Sequence, residues 1–250
     1  SADGIRLLAL SDSAYWMTAN FGWSENDGTL YVGNFSMAPM LSRTGNQLGG
    51  TAADSEAIAD LGGGVVAISF EREHRINTYT LGEDWSRLDM TGEAFPAPPG
   101  ADSFTNNGGM EGLTALPGGD LLAGVEDGSE GAYPLWLHRG RDWFRSELAA
   151  QPDYGLTSLD YHDGHVYALE RFWQPGIGNR IRILRFAVEA LDGDEPIDPE
   201  LLGTLEAGKT VDNFEGLSVT ERDGRTVLLV MSDDNYNPSQ RTLLLAFQLD

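Results

Sequence analysis

A hairpin-like unit recurs along this chain and narrows the folds open to it. Glu111 to Glu126 reads E-G-L-T-A-L-P-G-G-D-L-L-A-G-V-E, two short apolar runs around the turn Pro117-Gly118-Gly119-Asp120. Strand-length runs bounded by Gly and Pro are the mark of a β-hairpin. The pattern recurs from Glu56 across Gly62-Gly63-Gly64 to Glu71, from Thr157 across Asp163-Gly164 to Glu170, and from Glu215 across Asp223-Gly224 to Asp233-Asp234. A partial copy opens the chain, where Ile5 to Leu10 runs into Ser11-Asp12. The copies start at 56, 111, 157 and 215, so their spacings are 55, 46 and 58 residues. Units of about 40 to 50 residues with four strands each are the blades of a β-propeller. The expected fold is therefore all-β, one propeller domain over 1–250, of five blades with six as the alternative. Helical periodicity is poor throughout, and 31 glycines and 11 prolines serve the many turns that such a fold needs.

The first hairpin lacks its opening strand. Ser1 to Gly4 reads as the middle of a hairpin, which leads us to expect an upstream segment supplying the innermost strand of the first blade. Outer strands are expected at Tyr15 to Trp23 and Thr29 to Met40 in the first blade. In the second they are expected at Arg75 to Leu81 and near Trp85 to Met90, and residues 92–109 read as a long exposed connection or a lip over the site. The third blade takes Tyr133 to Arg139 and Trp143 to Leu148, the fourth Ile181 to Val188 and Leu201 to Leu205, and the fifth ends in Thr242 to Leu249.

Charge excludes some partners. The formal net charge is −23, with one lysine, Lys209, so neither the basic patch nor the stacking groove of a nucleic-acid binder is present. No apolar run is long enough for a membrane-spanning helix. Cysteine is absent, which removes thiol chemistry and zinc–thiolate sites. Nucleophile elbows, phosphate-binding glycine loops and H-E-x-x-H are missing as well. The histidines at 74, 138, 162 and 165 share no metal-like spacing, and His162 and His165 flank a turn at the end of the hairpin away from the acids.

What recurs is acid at the open end of each hairpin. An antiparallel pair sets the start of one strand beside the end of the other, so Asp12, Glu56, Glu71, Glu111, Glu126, Glu170, Glu215, Asp233 and Asp234 are expected to gather on one face. Carboxylates held together need a cation, a proton or an arginine between them. Oxygen ligands without His or Cys point to Ca²⁺ or Mg²⁺. Arginine follows the acids at Arg72, Arg171 and Arg241, either to neutralise them or to grip a phosphate in bidentate fashion. With Glu111, Glu126 and Glu215, these arginines form the candidate catalytic set.

These residues resemble a known family. Glu111-Gly112-Leu113, Phe70-Glu71-Arg72 with His74-Arg75-Ile76, Asp212-Asn213-Phe214-Glu215-Gly216-Leu217 and Ser232-Asp233-Asp234-Asn235 with Gln240-Arg241-Thr242-Leu243-Leu244 look like the "esterase-like activity of phytase" family. The resemblance spans the whole chain. It implies a propeller-like domain exported by bacteria to the periplasm or beyond, with a phosphoesterase-type activity on a small phosphorylated substrate. Family members carry an upstream portion ending in G-G-L-S-G-L, and where they read S-D-R-G this chain has Ser11-Asp12-Ser13-Ala14. The expected function is a metal-dependent phosphoesterase-like hydrolase. The alternative is a non-catalytic propeller that binds a ligand or protein and holds calcium for structure alone.

Overall fold

The computed structural model describes residues 6–128, 130–206 and 211–249. Its strands form five antiparallel sheets, the blades of an all-β five-bladed propeller. Helix is limited to single 3-10 turns such as Gly50–Ala53 and Val188–Asp192. The chain divides into two compact units, Ser1–Gly109 and Met110–Asp250. The expectation for Ser1 to Gly4 lies outside the described residues.

The first unit holds two sheets. β1 (Arg6–Ser11), β2 (Tyr15–Trp23) and β3 (Leu30–Pro39) make the first, in that order. β4 (Ser55–Gly62), β5 (Val65–Phe70), β6 (Arg75–Thr80) and β7 (Glu93–Phe95) make the second. Alternating apolar residues bury one face of each sheet. Trp16 and Met40 pack against Val66, Ile68, Phe70, Tyr79 and Leu81, and Trp16 meets Tyr79 edge-on at 5.1 Å. Complete burial of side chains this large contributes about 1.5–3 kcal/mol each. The Ser55 hydroxyl stitches the sheets together by donating to the Ser11 carbonyl at 2.6 Å.

The fourth strand of this second sheet is not where the sequence suggested. Trp85 to Met90 forms turns, and the strand lies at Glu93–Phe95, inside the expected connection. The reason is packing. Trp85, Leu88 and Met90 fold back onto the Trp16–Tyr79 core from a loop started by Gly82, so their apolar character records burial rather than strand pairing.

The second unit holds three sheets. The third is β8 (Gly112–Leu116), β9 (Asp120–Gly124), β10 (Ala132–Arg139) and β11 (Asp142–Ala149). The fourth is β12 (Gly155–His162), β13 (His165–Gln174), β14 (Gly178–Ala187) and β15 (Glu200–Leu205). The fifth is β16 (Asn213–Arg222), β17 (Arg225–Asp233) and β18 (Leu244–Gln248). Leu122, Leu135 and Leu148 pack against Leu156, Val166 and Leu184. Leu169, Ile181 and Ile183 pack against Phe214, Leu228 and Val230. Gly112 and Gly124, paired across β8 and β9, permit the close approach of the third sheet to the fourth. A Cβ on either would stand within 2.6 Å of Leu159 or Leu156.

Asp160 on β12 ties three neighbouring first strands together. Its Oδ2 accepts from the Val219 N–H of β16 at 2.6 Å, and its Oδ1 accepts from the Thr114 hydroxyl of β8 at 3.3 Å and from Tyr161 N–H at 2.9 Å. Burial pushes this carboxyl up to about 6.

One feature of the register recurs. The first strand of the second, fourth and fifth sheets carries one extra residue near its start, between Ser55 and Ile58, Leu156 and Ser158, and Phe214 and Gly216. These β-bulges fall at Glu56–Ala57, Thr157 and Glu215, the starts of the repeated hairpins. A bulge bends its strand and re-aims the side chain at that position.

Candidate functional site

In the first unit, the start of β4 and the end of β5 bring three carboxylates together. Glu71 N–H donates to the Asp54 carbonyl at 2.8 Å, closing the hairpin one residue beyond the Ser55–Phe70 pair. The bulge then presents Glu56 beside them. Asp54, Glu56 and Glu71 each offer an oxygen within 4.8 Å of the others, the one such group among the described residues. Glu71 is buried, and burial followed by the nearby Asp54 raises its pKa, against the Gly109 N–H that donates to its Oε1 at 3.0 Å. Arg72, held with φ at 55°, sets its Nε 2.6 Å from Asp54 Oδ2. That contact is an ion pair in which the N–H is not aimed at the oxygen, so Oδ2 accepts no hydrogen bond.

The segment before Gly109 lies over this group. His74 Nε2 meets the Thr105 carbonyl at 3.1 Å, which fixes the proton on Nε2 because a carbonyl only accepts. The ring stands edge-on to Phe104 at 5.6 Å, and its Nδ1 is buried without a hydrogen-bond partner. A Cβ on Gly109 would lie 3.0 Å from Glu71 Cγ and 3.2 Å from His74 Nδ1, so any larger residue there must push Glu71 or His74 aside by a few tenths of an ångström. The donor set suits a hard cation: three carboxylates, and no sulfur or nitrogen among the clustered oxygens. Asp12 of the same unit sits in the turn after β1.

In the second unit, most of the expected acids have protein partners of their own. Glu170 is 0% exposed, and Arg182 of β14 forms an ion pair with its Oε1. The Tyr133 hydroxyl of β10 donates to its Oε2 at 3.0 Å. Burial raises the Glu170 pKa, and Arg182 opposes the rise. Tyr133 is pushed up by its own burial and by Glu170. Glu215, on its bulge, accepts from Asn213 Nδ2 at 2.9 Å and has Arg171 at 3.3 Å. Arg171 also donates to Asn213 Oδ1. Asp234 accepts from Tyr236 N–H at 2.9 Å and from the Thr242 hydroxyl at 3.0 Å, while Asp233 lies opposite Asn213 at the end of β17. Arg241 pairs with Asp212 at 3.6 Å, and its N–H donates to the same carboxylate at 3.1 Å.

Glu111 and Glu126 stand just outside the ends of their strands. The Gly112–Gly124 pair sets Glu111 opposite Val125, with Glu126 one residue further on. The Glu126 side chain turns toward the fourth sheet, where a Cβ on Gly155 would come within 2.9 Å of its Oε1. Sequence reasoning passed over Asp54, Asp212, Tyr133 and Arg182. Only Asp54 and Asp212 left a signal, as acids placed just ahead of hairpin starts. His74 stands in the quoted Phe70-to-Ile76 motif, but its role shows only through Thr105 and Gly109.

A family model described as "Esterase-like activity of phytase" matches residues 1–236. No match is found among curated protein sequences. Similar solved structures include a GH43 endo-arabinanase from Bacillus licheniformis, 13% identical with a TM-score of 0.50 over 97% of this chain and 92% of that one. An endo-arabinase from Bacteroides thetaiotaomicron VPI-5482 is 12% identical with a TM-score of 0.52 over 98% and 93%. An α-L-arabinofuranosidase from Clostridium thermocellum ATCC 27405 is 10% identical with a TM-score of 0.51 over 96% and 87%. At these identities the likeness is one of fold. No helix among the described residues is long and apolar enough to cross a membrane.

Proposed function

Because this chain belongs to the esterase-like activity of phytase family, we propose that it is an exported, cation-dependent hydrolase of small phosphate esters. The observation that carries this reading is the Asp54, Glu56 and Glu71 group, whose oxygens lie within 4.8 Å of one another. These three would hold Ca²⁺, or Mg²⁺ in its place. Bound there, the cation would supply positive charge to offset the phosphoryl oxygens during transfer. Arg72 is half exposed and contacts Asp54 without a hydrogen bond to Oδ2, so it can turn its guanidinium to a phosphate oxygen. His74 Nδ1, an acceptor with no partner, is placed to take a proton near Glu71. Export to the periplasm or beyond follows the family resemblance.

The test is hydrolysis of phytate and p-nitrophenyl phosphate with Ca²⁺, with Mg²⁺ and with chelator, in the native chain and in Glu71→Gln. Turnover should need the cation and fall in the variant about tenfold or more, the loss expected when one charged ligand goes. Cation-independent turnover would sink the proposal. A second reading is a non-catalytic binding propeller with structural calcium. It is favoured by Arg72, Arg171 and Arg241 all standing beside protein carboxylates. Under that reading Ca²⁺ raises the melting temperature and no substrate turns over.

A further inference from the structure

Residues 104–109 pair with no strand, yet they reach the turn that carries Glu71 and His74 at three points. Gly109 N–H donates to Glu71 Oε1 at 3.0 Å, and the Thr105 carbonyl accepts from His74 Nε2 at 3.1 Å. The Phe104 ring stands edge-on to His74 at 5.6 Å. Between these holds Asn106 and Asn107 are exposed, while Gly108 and Gly109 are buried. The whole arrangement belongs to the first unit.

The turn beneath is braced from its other side. The Thr51 hydroxyl donates to Glu73 Oε1 at 2.6 Å. Arg75 donates to the Glu73 carbonyl at 2.9 Å and to the Ala52 carbonyl, and its guanidinium lies 3.8 Å over the Phe70 ring. Glu71 and His74 therefore sit on a firmly held turn. The segment 104–109, with two hydrogen bonds and one ring contact to it, is the more weakly held of the two.

We propose that residues 104–109 form a positioning strap whose order is coupled to a cation on Asp54, Glu56 and Glu71. This rests on the cation reading above and adds the partners that aim its ligands. A ligating carboxylate is oriented by the hydrogen bonds it accepts, and losing such a partner costs about 10–100-fold in metal affinity. Gly109 N–H is that partner for Glu71. Without a cation, three carboxylates within 4.8 Å of one another repel, which favours motions that carry Glu71 away from the others and off Gly109. A cation removes the repulsion and keeps Oε1 in front of the Gly109 N–H, so the strap stays closed. Closure also keeps the Thr105 carbonyl on Nε2, which leaves His74 Nδ1 as the acceptor. The coupling is reciprocal: whatever the cation does for the strap, the strap does for the cation.

The experiment is amide hydrogen exchange of residues 104–109 in Ca²⁺, in Mg²⁺ and in chelator, beside calorimetric titration with both cations. It compares the native chain with His74→Phe, His74→Gln and Gly109→Ala. A cation that binds should slow exchange of the segment about tenfold or more and leave β13 and β14 of the second unit unchanged. His74→Phe keeps a ring against Phe104 but removes the N–H, so it should abolish most of the slowing and weaken cation binding by the same factor. Gln supplies an N–H for the Thr105 carbonyl and should restore part of both. Gly109→Ala, which shifts Glu71, should weaken binding as well. Equal melting temperatures in chelator would establish that the variants fold. A cation that binds without slowing exchange overturns the strap and leaves the cation group standing. So does one that binds His74→Phe and Gly109→Ala as tightly as the native chain. A native chain that binds neither cation overturns the cation reading, and the strap with it.

Discussion

Arg182 is the residue whose removal best separates a structural from a metal-binding role for Glu170. Glu170 has no exposed surface, one Arg182 ion pair and one Tyr133 hydroxyl. Replacing Arg182 with Met keeps an unbranched apolar stem and removes the guanidinium, which pairs with Glu170 and lies over the Tyr154 ring. The carboxylate then stays buried with only neutral donors, the Tyr133 hydroxyl and the Gln151 N–H, and breaking a buried pair in this way costs about 3–5 kcal/mol. In a chain of this size that is a fall of roughly 6–20 °C in melting temperature, at about 2–4 °C per kcal/mol. Without the arginine the folded pKa of Glu170 rises further. A folded pKa above the unfolded one favours the protonated state, so the loss should shrink as the pH falls and deepen as it rises through the folded value. Arg182→Met with Glu170→Gln should recover most of the stability, since the amide keeps a hydrogen bond to Tyr133 and carries no charge. Urea melts followed by near-ultraviolet circular dichroism at several pH values would measure all three variants. A cost under about 1 kcal/mol, or a double variant no better than the single, would refute the buried-pair account. Recovery of the Arg182→Met loss by Ca²⁺ would return Glu170 to the metal ligands.

Asp160 predicts an opposite pH trend from ordinary acid denaturation. Its folded value of about 6 against 3.8 is worth about 3 kcal/mol at 1.36 kcal/mol per pH unit, present in full below the unfolded value and lost as the pH rises through 6. The difference in melting temperature between native and Asp160→Asn chains, followed from pH 4 to 8, should therefore change across that window, and a flat difference would contradict it. Gly64 has φ at 77° and a would-be Cβ 2.3 Å from the Gly82 backbone. Gly64→Ala should cost more than about 3 kcal/mol, whereas Gly63→Ala, with open space around it, should cost only its backbone strain. Thermal melts compare the two.

The hairpin repeat was legible because turn glycines and strand alternation are local signals. The breaks 62–64, 117–120, 163–164 and 223–224 all proved to be the turns that the sequence marked. The fourth strand of the second sheet was not legible, because Trp85 and Met90 look alike whether they pair in a strand or fold onto a core. The three acids of the first unit were half legible. Glu56 and Glu71 declared themselves by repetition, but Asp54 joins them only through its pairing with Glu71 and the bulge that follows, and no composition signals a bulge. In the second unit no local pattern pairs Arg182 with Glu170 across β13 and β14, since that depends on a register set by a turn at Gln174–Gly178.

The shared bulge has a consequence for how the rim and the core can change. Side chains on a strand alternate between faces, so a substitution at one end is read in the same parity as the packing below it. One extra residue at Glu56–Ala57, Thr157 and Glu215 resets that parity. Apolar residues answer to the neighbouring sheet on both sides of it, Leu156 and Phe214 just above and Leu159 and Val219 below, so the bulge re-aims one position between two stretches committed to packing. The chain accordingly places an acid at two of these positions and a threonine at the third, on three hairpins whose buried residues remain alike. The bulge works as a local insulator: one position can change its chemistry while the packed residues on either side of it go on holding the sheets together.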